Sequence, residues 1–579
     1  MKTDFWDSIF DSIKRSLVRF PLTIVSALVG SCLYFYLIEE KPFEGALAKL
    51  VLTTHLGIAL FTAIQLFWES RTFQEIVRWV FYAIGILILT AFYLSIEDVN
   101  FEITAHQFVL SLICCHLLVS FASFTKTHSN ESFWIFNQEC FFQFCIGLLY
   151  SAVLIAGLEG AVAAIRALFE FEWYRDIYFD IPIAILGIFN TIFWTSRIPI
   201  KFNEQTIDFA RPKFVLNLTK FILIPISLLY FAILYAYGLK IIVQWNLPQG
   251  WVSSLCIGFS LVGMLTYLLN FILPNYDSGK HIHFYKKYFF YLIIPILVLM
   301  LVAIERRISD YGITEERYYI LSMAILLSAI SLYYIISRKD DLRIIPISLF
   351  IVCLIAAYGP LSAWNTSIRS QVARFKAPLE RVQLQGDQDL RSVLDSLTYD
   401  EKVNMSSILR YLNERRALDQ LIAYFPKEAT RYFETGRDNY MIVDTMVRIL
   451  DAELDRRYQY FNVTLNGDFS QATKIHEYDE LSYYSFYDTN SERVDISLKE
   501  HRFLEFKDGS KIDLVKILQE KHPEAFLRQE NFNYLLEFPV ELNSGKALIK
   551  IKHVGIDKQN QDFKINNIEF ILLKQHKVD

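Results

Sequence analysis

From residue 18 to residue 362 the chain alternates apolar stretches of about 20 residues with short polar connections carrying Lys or Arg, and beyond that point the alternation stops. A stretch of that length is what an α-helix needs to cross the hydrocarbon core, where every backbone N–H and C=O must be satisfied within the segment. The pattern predicts eleven spans, at about 18–38, 47–68, 76–95, 103–123, 144–166, 181–199, 215–243, 251–273, 288–305, 317–337 and 344–362. The apolar run from Phe133 to Phe171 is too long for one crossing, so Trp134–Phe142 is expected as a separate interfacial helix leading into the fifth span. Ahead of the first span, Phe5, Trp6, Ile9, Phe10, Ile13 and Leu17 recur at helical spacing with Lys14 and Arg15 among them. This predicts an amphipathic helix over residues 1–17 lying on the membrane surface.

After residue 362 the periodicity changes. Residues 363–456 carry helical patterns in Ser367–Leu384, Leu390–Leu397, Asp400–Asn413, Ala417–Tyr424 and Tyr440–Leu454. Residues 457–579 turn to alternation: Arg502–Phe506, Asn533–Leu542, Lys546–Lys552 and Phe563–Leu573 read as strands, with hairpin turns at Asp508-Gly509 and Asn543-Ser544-Gly545. The tyrosine-rich run Glu477–Tyr487 reads as a strand whose aromatics pack into the sheet, with a glycan or partner surface as the other reading. The expected fold class is an α-helical polytopic membrane bundle of about 11 transmembrane helices followed by a soluble α+β extracytoplasmic domain.

Charge agrees with the division. The first 362 residues hold 26 Lys+Arg and 27 Asp+Glu, about 15% charged, whereas the last 217 hold 31 and 35, about 30%. Neither part is basic overall, which argues against a nucleic-acid partner. All seven cysteines fall in apolar segments and none in the tail, so they read as small hydrophobes rather than as a disulfide framework. If the N-terminus is cytoplasmic, most of the basic residues, among them Lys14, Arg15, Arg197, Lys286, Lys287 and Arg338, lie on that side. The expected location is thus a cytoplasmic (inner) membrane, with the C-terminal domain in the periplasm.

Polar residues at membrane depth are few and costly, so each is a functional candidate: Glu139, Glu159, His106 and His116 above all, with His55, Gln143 and Asn190 beside them. Glu139 and Gln143 share a helix face. Pro225 and Pro295 read as helix-entry positions or hinges, and Gly250, Ser254 and Gly258, with Ser260 and Gly263 nearby, as a tight-packing stripe. The connection from Glu305 to Tyr318 is the most unusual. It places Arg306, Arg307 and Arg317 on the side where positive charge is disfavoured, next to Tyr311 and Glu315. Gly312 suits a helix end and Thr314 an N-cap, which makes a re-entry turn with ion pairing; the sharper reading is recognition of an anionic headgroup, glycan or phosphate.

Three groups of residues carry a family resemblance: Asn217–Ser254 with Trp245-Asn246-Leu247-Pro248-Gln249-Gly250-Trp251, then Tyr311-Gly312-Ile313-Thr314-Glu315-Glu316-Arg317-Tyr318, then Gly359-Pro360-Leu361-Ser362 with Ser367-Ile368-Arg369-Ser370-Gln371. Together they resemble the bacterial membrane proteins of domain of unknown function 4153. The resemblance implies a multi-span envelope protein and supplies no reaction, catalytic residue or cofactor. No nucleotide-binding, zinc-protease or hydrolase-elbow motif is present. The sequence therefore names no catalytic, cofactor or metal residue. It leaves transport or handling of an envelope component, or a membrane-anchored scaffold or sensor whose tail binds an envelope protein, glycan or lipid ligand; a membrane-embedded transferase is hinted at only by the arginines.

Overall fold

The computed structural model describes residues 5–40, 43–99, 102–124, 129–169, 177–200, 212–244, 252–275, 278–337, 340–382, 390–425, 439–450, 461–467, 478–486, 496–522, 532–534, 536–559 and 562–576. They fall into two compact units, Met1–Asp387 with Ser407–Pro426, and Gln388–Ser406 with Lys427–Asp579.

The first unit is helical: α1 (Phe5–Arg19), α2 (Pro21–Glu40), α3 (Gly45–Glu69), α4 (Glu75–Ser95), α5 (Glu102–Phe121), α6 (Asn130–Phe169), α7 (Ile177–Arg197), α8 (Val215–Gln244), α9 (Val252–Asn270), α10 (Lys280–Tyr311), α11 (Glu315–Ser337), α12 (Ile344–Ala357) and α13 (Ala363–Arg381). Among the described residues ten helices, α2 to α11, are long and apolar enough to cross a membrane, and α12 is equally apolar but only 14 residues long. The chain is a multi-pass membrane protein.

One expectation is corrected. Trp134–Phe142 is not a separate interfacial helix: α6 runs unbroken for 40 residues. Its buried stripe, Phe133, Phe136, Cys140, Gln143, Gly147 and Ser151, keeps helical phase straight through the expected break. At about 1.5 Å per residue such a helix is far longer than a hydrocarbon core is thick.

The prolines act locally. A π-helical segment, Thr219–Leu223, ends just before Pro225, and another, Ala184–Phe189, follows Pro182; each widened turn accommodates the backbone beside a residue with no N–H. Pro295 lies inside an uninterrupted α10. The bundle core is aromatic: Phe290 stacks on Tyr334 with centroids 4.4 Å apart, and Tyr267 and Phe289 extend the cluster. Along α9 a close approach occurs at Gly263, where a Cβ would meet the Phe289 ring at 3.0 Å, rather than at Gly258, where it would meet nothing within 4 Å. Gly250 and the Trp245–Trp251 motif lie outside the described residues.

At the edge of the bundle, α1 is pinned by Arg19. Its guanidinium meets Glu69 at 2.8 Å and donates to the carbonyls of Ile198 and Pro199, while Gln65 and Tyr82 complete the chain of hydrogen bonds.

α14 (Tyr399–Glu414) passes from the second unit into the first at residue 407. It starts with a capping box: Thr398 and Glu401 exchange backbone-to-side-chain hydrogen bonds. Leu390–Ser396 and Leu418–Tyr424 are helical as expected, in the tighter 3₁₀ form over seven residues each. The second unit continues through α15 (Asn439–Ile449), β1 (Phe461–Gly467), β2 (Glu480–Phe486), β3 (Ile496–Lys499), β4 (Phe503–Phe506), β5 (Lys511–Asp513), α16 (Leu514–Lys521), β6 (Phe532–Tyr534), β7 (Glu537–Leu542), β8 (Gly545–Gln559) and β9 (Asp562–His576).

One sheet has the order β2-β9-β8-β1-β6 with β7 also on β8, and the other the order β3-β4-β5. Every pairing is antiparallel except β1 with β6. The stretch expected as one strand over Asn533–Leu542 therefore serves two partners, β6 on β1 and β7 on β8. Both expected hairpin turns form, and they bond to each other: Ser544 donates N–H and hydroxyl to the Asp508 carboxylate, and Asn543 donates to the Asp508 carbonyl. Burial opposes it, yet those donors and Ser510 hold the Asp508 carboxyl well below its usual range.

Candidate functional site

The Tyr311–Tyr318 connection forms because α10 ends on a residue that only glycine tolerates. Gly312 has φ +70° and ψ −178°, and its N–H closes the helix on the Ile308 carbonyl at 2.8 Å. This turn leaves the carbonyls of Asp310, Tyr311, Gly312 and Ile313 without helical partners. Side chains satisfy them. Arg317 donates to Tyr311 and Gly312 at 3.1 and 2.8 Å, Gln371 to Tyr311 and Ile313 at 3.0 Å each, and Arg374 to Asp310 and Tyr311. Ser370 Oγ accepts from the Ile313 N–H at 2.9 Å. Burial lowers the pKa of the Arg374 guanidinium from its ordinary value.

The third motif joins the same node. Ser362 caps α13 by accepting from the Asn365 N–H, Asn365 donates to the Gly359 carbonyl, and Arg369 donates to Pro360. Tyr318 donates to the Leu361 carbonyl at 2.7 Å. Two of the three groups of residues that carry the family resemblance thus interlock in space.

Beside this turn lies a buried polar and aromatic cluster. Glu315, 4% exposed, accepts from Arg415 at 2.8 and 3.1 Å and from the Tyr411 hydroxyl at 2.8 Å. The Arg415 guanidinium lies over the Tyr411 ring at 3.7 Å and over Trp364 at 5.6 Å, with Glu102 at 3.8 Å and Glu414 at 3.2 Å. Cation–π contact and charge-assisted hydrogen bonds together solvate the buried charges. His106 extends the cluster: its Nδ1 stands 2.9 Å from the Tyr319 hydroxyl, and its ring stacks on Tyr319 and leans on Trp364. A second pair, Arg416 with Asp98 at 2.9 Å, ties the same segment to the connection between α4 and α5. All of these residues belong to the first unit.

The structure distributes the expected residues unevenly. Glu315, Arg317, Tyr311 and His106 come together here. Arg306 lies one turn back on α10, exposed, with Asp310 at 3.7 Å; Arg307 is half-buried on the same turn. Glu139 accepts from Gln143 at 2.7 Å on its own helix face. His116 and His55 bond the carbonyls one turn back, Leu112 and Val51. Glu159 is half-buried, with outward-facing apolar neighbours on α6. These four do not converge with one another or with the cluster. Among the described residues no three His, Cys, Asp or Glu side chains stand where they could hold a metal ion.

Trp364, Tyr411, Arg415 and Arg374 join the site without any expectation from the sequence. The available signal is Glu414-Arg415-Arg416, a charge pair directly after a helix pattern, which reads as a solvated end unless its acidic partner 100 residues earlier is known.

Residues 23–396 match the family described as "Domain of unknown function (DUF4153)". An uncharacterised protein of Pasteurella multocida (strain Pm70) is 24% identical over 361 residues, 60% of this chain and 59% of that protein. The matched part thus spans less than two thirds of that relative. No solved structure matches the chain.

Proposed function

The chain belongs to the family described as domain of unknown function 4153, and on that premise we propose that it is a membrane-anchored scaffold or sensor of the bacterial envelope whose C-terminal β unit binds an envelope partner. The observation that carries this reading is the Glu315–Arg415 cluster, which fastens the segment 407–426, after the last span, onto α5, α11 and α13. Such a clamp suits a chain whose first segment beyond the bundle must keep a fixed relation to the membrane. Of the intramembrane polar candidates, which a transport pathway would bring together, Gln143, His116 and His55 bond one turn back within their own helices.

The partner surface we assign is β2, at one edge of its sheet among the described strands. Tyr484 and Phe486 face the core, whereas Leu481 and Tyr483 are 56% and 51% exposed. An edge with outward apolar residues is a template for strand addition. We place the N-terminus in the cytoplasm and the C-terminal unit outside, in the periplasm of a Gram-negative cell, because basic residues gather on the N-terminal side and because, with the shorter apolar α12 counted as a crossing beside the ten long helices, eleven crossings reverse the chain. A reporter fused after residue 579 is then active only outside the cytoplasm.

The two function classes separate in a strain lacking the protein. Under the scaffold reading, truncation after residue 426 abolishes rescue at normal abundance, while Glu139→Gln, Glu159→Gln and His116→Gln rescue fully. Transport of an envelope component gives the reverse.

A further inference from the structure

α8 and α10 run side by side and leave a cleft of about 740 Å³, walled by Tyr235, Gly238 and Ile242 on one helix and Pro295 and Leu299 on the other, with Arg306 at its end. The cleft exists for local reasons. Gly238 contributes no side chain, and a Cβ there would reach only Leu299, at 3.9 Å. Pro295 withholds one backbone N–H from α10. From Pro295 to Arg306 the helix climbs about 16 Å at 1.5 Å per residue. The wall is therefore apolar along its length and cationic at one end.

We infer that this cleft binds an anionic phospholipid, its acyl chain along Tyr235, Gly238 and Leu299 and its phosphate on Arg306. Charge complementarity selects this occupant over a zwitterionic lipid. The volume falls within the roughly 300–1,000 Å³ range of small-molecule sites, and the long axis carries the polarity gradient of an anionic amphiphile. Among the described residues the partner of Arg306 is Asp310, at 3.7 Å through Nε, with both side chains more than half exposed. A pair that long and exposed is weak and yields to a phosphate able to take both arms of the guanidinium. The inference is independent of the scaffold reading.

The test uses the full-length protein in detergent, with native mass spectrometry after addition of phosphatidylglycerol or phosphatidylcholine of matched chain length. Phosphatidylglycerol is expected to be retained roughly fivefold better, the increment of one basic residue at a membrane surface. Arg306→Gln brings the two lipids to parity without lowering phosphatidylcholine retention, Arg306→Lys keeps the preference, and Gly238→Leu lowers retention of both. Parity in the unaltered protein, a preference that survives Arg306→Gln, or retention unchanged by Gly238→Leu overturns the inference. So does displacement of phosphatidylglycerol by millimolar inorganic phosphate. A thermal melt of each variant confirms that it is folded.

Discussion

Glu315 and Arg415, 100 residues apart in sequence, meet at 2.8 Å with side chains only 6% and 12% exposed. Removing Arg415 strands the Glu315 carboxylate, and removing Glu315 leaves Arg415 only the exposed Glu102 and Glu414, so each loss costs toward the low end of about 3–5 kcal/mol, whereas replacing both with apolar groups of similar volume is close to neutral. We expect Glu315→Gln to destabilise the protein by about 3 kcal/mol, and Glu315→Leu with Arg415→Met to recover most of that loss. Denaturant unfolding in detergent followed by Trp fluorescence checks it.

Gly312→Ala is expected to be as damaging as a core substitution. The backbone there occupies a region open essentially to glycine, at about 1–3 kcal/mol for another residue, and the new Cβ would stand 2.5 Å from Arg374 Cδ and 3.0 Å from Gln371 Nε2. A fall in melting temperature comparable to that of Glu315→Gln is the expected outcome. An unchanged melt contradicts the geometry of the turn.

The arginines of this turn divide into two kinds. Arg317 holds two carbonyls at the end of α10, so Arg317→Gln loses charge-assisted hydrogen bonds worth about 1.5–3 kcal/mol. Arg306 makes one long exposed contact, and Arg306→Gln changes stability by no more than about 1 kcal/mol. Parallel unfolding curves of the two variants test the division.

The division also marks how far the sequence can be read. Ten of the eleven expected spans correspond to helices long enough to cross, because membrane helices need about 20 apolar residues, a signal that survives without tertiary knowledge. Both hairpin turns are legible because Asp508-Gly509 and Asn543-Ser544-Gly545 carry the backbone chemistry of turns. The phase of α6 is not, since length alone cannot say whether a buried stripe continues. The node is half legible: Gly312, Thr314 and Glu315 announce a helix end and a helix start, but the demand of orphan carbonyls for Gln371 and Arg374 is a property of space. Pairing Glu315 with neighbouring arginines is the local reading; its partner in the fold is Arg415.

In the β unit, the depressed pKa of Asp508 sets a pH dependence. A carboxylate whose folded pKa lies below its unfolded value of about 3.9 contributes stability above that value, and the contribution is lost as pH falls toward the folded pKa. Asp508→Asn is therefore less stable than the parent at pH 7 and approaches it below about pH 4. Melting temperatures across pH 3–8 decide the point; a deficit independent of pH contradicts it.

Leu481→Asp alters an exposed edge position, so we expect a melting temperature within about 1 °C of the parent, a change of no more than ~0.5 kcal/mol, with loss of the cross-link formed in cells by a photoreactive residue at Tyr483. Retention of that cross-link removes β2 as the partner surface.

The central claim is that Glu315 and Arg415 act as one unit to fasten residues 407–426 to the bundle, and the double-mutant cycle of Glu315→Gln and Arg415→Gln measures it directly. We predict a coupling of about 2 kcal/mol or more, since the two side chains share one buried network. Additivity within about 0.5 kcal/mol would contradict the claim.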